Sequence, residues 1–423
     1  MVNINISTKD EDSVMSLVDE LISLSEPNEF ELVYKNQNRF ESNDRLYILG
    51  EIINITKLEI NNSHKRGFIK TAIKKYKNYK KKNYSYFKRG LKTIVTNYYK
   101  KKAIKYKILF PMNIDYNWIK ILEVIKFNNI QMELHDYDYI SDNFLQNNKD
   151  EIEKYGDVLT SMKEGYSYFI VILYGRDVHS SFEQANSMIE LYRGFINLID
   201  NGGRITWQYG TSQGNPFSKY GPSKNMLVFD SKNNFIAYYF RTVHNKHEII
   251  SSPFEKNGRD EIDKIRELLN RYENSSNFKL KNLIEQLIHS YNLALDETEP
   301  NFRFLFFWQI LENIFRESED DKFDKITKRI KNMSKNDRNV SKIIDILFIK
   351  RNKLVHDGDN KYIENEDVHQ IKHIVDSILL NFVYNFEQYK TKYDLIYYFD
   401  NVDLKLDVID EKIKSLQRIK QLR

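Results

Sequence analysis

Residues 340–358 read VSKIIDILFIKRNKLVHDG, and residues 302–315 before them read FRFLFFWQILENIF. In the earlier stretch Phe304, Trp308, Leu311 and Phe315 return at helical spacing, which predicts one apolar face. The later stretch has the same character and then meets Gly358, a residue that commonly stops a helix. Two neighbouring stretches, FKLKNLIEQLIHSYNLAL (278–295) and DVHQIKHIVDSILLNFVYNFEQY (367–389), repeat the pattern, with Leu280, Leu283, Ile284, Leu287, Ile288 and Tyr291 as the stripe of the first. Four amphipathic helices and a shorter one over 323–333 predict an all-α bundle across residues 275–395. A last helix is expected over 404–421, striped by Ile409, Ile413 and Leu416.

Outward from the bundle the pattern changes. SSPFEKNGRD (251–260) is a boundary by composition, and residues 1–255 read as a mixed α and β region. EDSVMSLVDELIS (11–23) predicts a short helix carrying Val14, Leu17, Val18 and Leu21. Strands are expected at 31–34, 46–52, 130–135, 204–209, 225–229 and 235–242, and a helix at 120–126. YSYFIVIL from Tyr166 predicts a strand, followed by a helix from Phe182 to Ile199 that ends at Asn201-Gly202-Gly203. The fold class is therefore α+β: a mixed N-terminal region followed by a C-terminal helix bundle.

Composition narrows the chemistry. The chain has 423 residues, 41% apolar and 30% charged, enough for two or three globular domains. It has no cysteine, which excludes disulfides, thiolate metal sites and a cysteine nucleophile. MVNINISTKDED lacks the basic start and apolar core of a signal peptide, and no apolar run reaches membrane-spanning length. A cytoplasmic protein is expected, with no membrane partner and no cofactor.

The net charge of +5 is unevenly spread. Residues 60–114 hold 17 Lys and Arg and no Asp or Glu, while the rest carries 48 basic and 60 acidic residues. Such a block predicts a polar molecule with a nucleic-acid surface. Helical spacing of Ile69, Ile73 and Tyr76, and of Leu91, Val95 and Tyr98, predicts two helices broken near Asn83 in this strongly basic helical segment. Its candidate phosphate contacts are Lys74, Lys75, Lys77, Lys80, Lys81, Lys82, Lys88, Arg89, Lys100, Lys101 and Lys102. Seven tyrosines (76, 79, 84, 86, 98, 99 and 106) offer rings for stacking on bases, or else serve to pack a solvated helical hairpin.

Arg351-Asn352-Lys353-Leu354-Val355-His356 carries the candidate reaction. A histidine can take the proton of an RNA 2′-hydroxyl that attacks its own adjacent phosphate. An arginine's forked donors can hold that phosphate and offset charge in the transition state. Asn352 is placed to orient His356 or bond a phosphate oxygen. Residues five apart lie about 140° apart around a helix, so a joint site requires fraying of the last turn or a second copy of the helix. Glu312 falls on the stripe of Trp308 and Phe315, where a carboxylate needs a partner; Arg351 is the best candidate. The plainer alternative makes Arg351 an interhelical ion pair and His356 a capping residue.

Segment 302–389, with F-x-x-x-W-x-x-L-E-x-x-F from Phe304 to Phe315 and IKRNKLVHDGD after it, resembles a HEPN domain of the Apea-like group. The resemblance covers about 110 residues and implies a homodimeric, metal-independent endoribonuclease. It implies catalytic roles for Arg351, Asn352 and His356, and often a toxin or antiviral effector; whether a trigger would be a phage component, a nucleotide or a partner protein is not stated by the sequence. The expected substrate is single-stranded or tRNA-like RNA. Some members of the superfamily serve only as binding modules, so a noncatalytic nucleic-acid or nucleotide-binding module, or an interaction scaffold, is the competing expectation.

Other candidates carry less. His369 and His373 are four apart on a helix without a third ligand and are expected to face solvent; His244 and His247 also lack a third ligand. Gly175, Gly202 and Gly203 match no phosphate loop.

Overall fold

The structure, a computed structural model, describes residues 11–23, 62–77, 83–119, 124–127, 130–162, 165–201, 217–218, 220–240, 258–318, 321, 323–333, 338–357, 363–402 and 404–421. The strands expected at 31–34, 46–52 and 204–209, together with His244 and His247, lie outside them. The chain divides into two compact units, Met1–Tyr106 with Leu173–Gln184, and Lys107–Ile172 with Ala185–Arg423.

The first unit is built on helices α1 (Glu11–Ser23), α2 (Asn62–Lys77) and α3 (Tyr84–Lys100). Val14 and Val18 of α1, Phe68, Ile69, Ala72, Ile73 and Tyr76 of α2, and Phe87, Leu91 and Val95 of α3 form one core. The break between α2 and α3 has a local cause. Asn83 caps α3, its Oδ1 accepting from the Tyr86 N–H at 3.1 Å and from the Ser85 hydroxyl at 2.7 Å. The basic segment is helical only to Lys100. Ile104–Met112 is a strand, β1, because ILFPM is a continuous apolar run with both faces buried.

In the second unit the sheet has the order β2-β3-β4-β1-β5-β6, adding β2 (Val124–Phe127), β3 (Ile130–His135), β4 (Ser167–Gly175), β5 (Asn225–Phe229) and β6 (Phe235–Phe240). The pairs β2/β3, β3/β4, β1/β5 and β5/β6 are antiparallel, with Met132 opposite Val171 and Ile108 opposite Val228. The helix expected at 120–126 is thereby corrected: Val124, Ile125 and Lys126 pair with Glu133, Met132 and Gln131. Three apolar residues, Val124, Ile125 and Phe127, next to a partner strand outweigh a short helical period. One sheet face packs Tyr168, Ile170, Ile172, Leu227 and Phe229 under short helical turns carrying Ile140, Phe144, Leu145 and Ile152. On the other, Phe169 meets Tyr192 of helix α4 (Val178–Asn201), ring centres 5.2 Å apart.

The helices that follow are α5 (Gly258–Asn274), α6 (Phe278–Asp296), α7 (Pro300–Phe315), α8 (Phe323–Met333), α9 (Arg338–Asp357), α10 (Asn365–Asn385), α11 (Lys392–Asn401) and α12 (Leu406–Gln421). Helices α5 and α11 add to those read from sequence. Two buried arginines tie elements together. Arg193 of α4 donates to Glu190 at 2.6 Å and to both oxygens of Asp296 on α6 at 2.8 Å. Arg329 of α8 is fully enclosed and donates to Asp400 of α11 at 2.7 and 2.8 Å, to Asp321 at 2.9 Å and to the Phe315 carbonyl at 2.6 Å. Gly194 permits close approach of α4 and α6, since an added Cβ would stand 2.2 Å from the Ile288 Cγ2 methyl. Among the described residues no helix is long and apolar enough to cross a membrane.

Candidate functional site

Helix α9 presents its apolar row inward, burying Ile344, Leu347 and Leu354, while Trp308 of α7 stacks between Phe304 and Phe348 at 6.2 Å from each. Lys350 donates to Asp367 at 2.6 Å, and Asp367 closes a capping box with Glu364 at the start of α10. These contacts fix the rotation of α9 and with it the direction of Arg351.

Arg351 turns toward α7. Its Nη2 donates to Glu312 Oε1 at 3.1 Å, and its Nη1 reaches Asn352 Oδ1 at 3.4 Å. The Trp308 indole N–H donates to the same Glu312 oxygen at 2.9 Å, and Arg316 Nη2 stands 3.5 Å from the other. Glu312 and Arg351 are 14% and 13% exposed, so the ion pair is largely shielded and loses little to solvent screening. Two guanidinium groups thus converge on one carboxylate. The Glu312–Arg351 pairing is the one expected from the carboxylate's place on an apolar stripe. Trp308 and Arg316 were not singled out from sequence, although both lie four residues from Glu312, the spacing of neighbours on one helix face.

Helix α9 continues without a break through His356 to Asp357, and Gly358 and Asp359 lie outside the described residues. Fraying of the backbone at His356 is therefore absent, and positions 351 and 356 project about 140° apart. Position 356 falls two turns after position 349, about 20° from it around the axis. Ile349 and Ile346 on that face are 56% and 53% exposed.

Of the basic candidates, Lys74 and Lys75 on α2, Arg89 and Lys100 on α3, and Lys101 and Lys102 after it are exposed; Lys77 and Lys88 are partly so. Lys80, Lys81, Lys82 and Tyr79 lie outside the described residues. The tyrosines are largely spent on structure. Tyr76 and Tyr106 are buried, and Tyr98 donates to Asp177 at 2.6 Å, burial and then that bond pushing its pKa up to about 12. The open stacking surface expected from seven tyrosines is corrected to that extent: helical spacing places Tyr76 on the core side of α2.

His369 and His373 do not face solvent. Both are partly buried, and His369 stacks on Phe217 at 4.8 Å, its pKa lowered by burial and then by Lys372 and Arg303. Among the described residues no group of three or more His, Asp or Glu side chains is placed to hold a metal ion. Compared with known protein families, curated proteins and solved structures, the chain matches none.

Proposed function

We propose that the chain is a metal-independent endoribonuclease of the HEPN type, Apea-like, acting as a homodimer in cellular defence or as a toxin. The observation that carries the reading is the α9 site. Arg351 is held on Glu312 with Arg316 beside it, and a histidine follows five residues later at the end of the same helix. Guanidinium donors at this place suit the charge that develops on the phosphate in the transition state. In the proposed reaction His356 takes the proton of the 2′-hydroxyl, and the 2′-oxygen forms a bond to the adjacent phosphorus. The bond from phosphorus to the 5′-oxygen breaks, and that oxygen leaves as a hydroxyl after taking up a proton. The products are a 2′,3′-cyclic phosphate and a 5′-hydroxyl end.

A second copy completes the arrangement. Within one chain positions 351 and 356 lie about 140° apart around α9, whereas two such helices related by a twofold axis would set two arginines and two histidines around one cleft. The exposed Ile346 and Ile349, on the face that includes position 356, support an interface there. The basic block supplies phosphate contacts.

The experiment is incubation of purified protein with total RNA in excess EDTA, with and without lysate of phage-infected cells as a source of trigger. Cleavage in chelator is the expected result. RNA that is bound and left intact under both conditions contradicts it and favours a noncatalytic binding module.

A further inference from the structure

The environment of each tyrosine in the basic unit bears on which form of RNA it can hold. Proteins that grip unpaired strands need open aromatic faces, each stacked base contributing about 1–3 kcal/mol. Paired RNA hides its bases and offers phosphates and 2′-hydroxyls, which call for cations and not for rings.

Among the described residues, the aromatic rings read as a stacking platform are engaged within the unit. Tyr76 is in the core, edge-on to Phe87 at 6.0 Å, and Tyr106 is buried. Tyr84 and Tyr86 pack against that core, and each also carries a cation, Lys88 and Arg89, 5.6 Å from its ring centre. Tyr98 packs there too and is tied through its hydroxyl to Asp177. Tyr99, the most exposed at 39%, meets the edge of Tyr98 at 5.5 Å and the guanidinium of Arg176 at 5.2 Å. The cations have the opposite disposition: Lys74, Lys75, Arg89, Lys92, Lys100, Lys101 and Lys102 are all exposed. Helix α1 exposes Asp12, Asp19 and Glu20 instead, so positive potential belongs to α2 and α3.

We propose that this three-helix unit holds base-paired RNA by its phosphate backbone, independently of sequence, and is not a platform for unpaired bases. The inference rests on RNA being the ligand, as proposed above. It narrows the substrate to hairpins and other structured RNA.

The test is a binding titration of the full-length protein with 2′-O-methyl RNA, which lacks the attacking hydroxyl and stays intact. A hairpin with a stem of about 16 base pairs, the span of a known duplex reader, is compared with an unpaired strand of equal phosphate number, from 50 to 200 mM salt. The hairpin is expected to bind at least about tenfold more tightly, with a steeper salt dependence. Tyr99→Leu is expected to stay within about twofold, since no base stack is lost. The combined variant Lys74→Gln, Lys75→Gln, Lys92→Gln and Lys100→Gln alters exposed side chains only, so its circular dichroism should match the wild type. It is expected to lower the slope of log K against log salt by about 3–4, near 0.9 per lost phosphate contact. Equal or tighter binding of the unpaired strand, or a loss of about tenfold in Tyr99→Leu, overturns the inference while leaving RNA as the ligand. No binding of either RNA at 50 mM salt overturns both the inference and the RNA reading, as does preferential binding of polyglutamate.

Discussion

Glu312 has Trp308 one turn before it, Arg316 one turn after it and Arg351 across from it, and all three reach its carboxylate. Losing the indole donor should loosen that carboxylate and so the arginine it holds. Trp308→Phe is expected to cost about 1.5–3 kcal/mol in urea unfolding, the range for a hydrogen bond to a charged group; an unchanged midpoint contradicts the contact. Arg329 gives a pH-dependent counterpart. Burial opposes ionisation of Asp321, but the Glu317 N–H, Lys325 and Arg329 outweigh it and hold its pKa below the usual range; Arg329 lowers Asp400 likewise. A folded pKa below the unfolded value means that the unfolded chain binds more protons in the window beneath about pH 4. The stability these carboxylates contribute is complete above that window and drains as pH falls through it. Arg329→Met should therefore cost about 2–4 kcal/mol at pH 7, below the full figure for a buried pair because Asp400 is a third open to water. The gap from wild type should narrow as pH falls below about 4, and a constant gap contradicts this. At this scale the sequence was legible where a residue broke a pattern: a carboxylate on an apolar stripe announced Glu312 and its need for a cation. Arg193 and Arg329 break no pattern, since arginine on a helix is usually solvated, and the partners Asp296 and Asp400 that tie them to other helices lie 103 and 71 residues away.

The α4–α6 contact depends on a residue with no side chain. Gly194→Ala places a methyl group against the Ile288 Cγ2 and the Asn292 amide, whose nitrogen donates to the Glu190 carbonyl at 2.7 Å. Overpacking of this kind costs about 1–3 kcal/mol; thermal unfolding is expected to show a lower midpoint, and a raised one contradicts the close approach. Helices α6 to α10 were readable because each buries one stripe against the others, so their period survives in the sequence. Helix α5 is striped in the same way, with Ile262, Ile265, Leu268, Leu269 and Tyr272 all buried, so its period also stands in the sequence, just after the boundary placed at 251–260. Helix α11 is ten residues long, too short to show a period against the capping box at Thr391 that starts it. Strand β2 exists through pairing with β3, the next strand in the chain, a cause that lies outside its own four residues.

At the scale of the molecule the proposal needs two chains. Sedimentation at micromolar concentration is expected to give a dimer, and Ile346→Asp with Ile349→Asp a folded monomer without cleavage activity. A wild-type monomer with undiminished activity contradicts the shared site. The candidate residues and the roughly 140° between positions 351 and 356 were legible in the spacing, but the choice between a frayed last turn and a second copy was not: it turns on the course of α9 to Asp357. The most direct measurement is the chemistry of the ends. RNA cut by the purified protein in EDTA is expected to carry 2′,3′-cyclic phosphate and 5′-hydroxyl ends. His356→Ala, folded and dimeric, is expected to cut about 10²–10⁴-fold more slowly, the usual contribution of a general acid–base group. Cleavage by a correctly folded His356→Ala protein at the wild-type rate, or ends carrying a 5′-phosphate, would contradict the account.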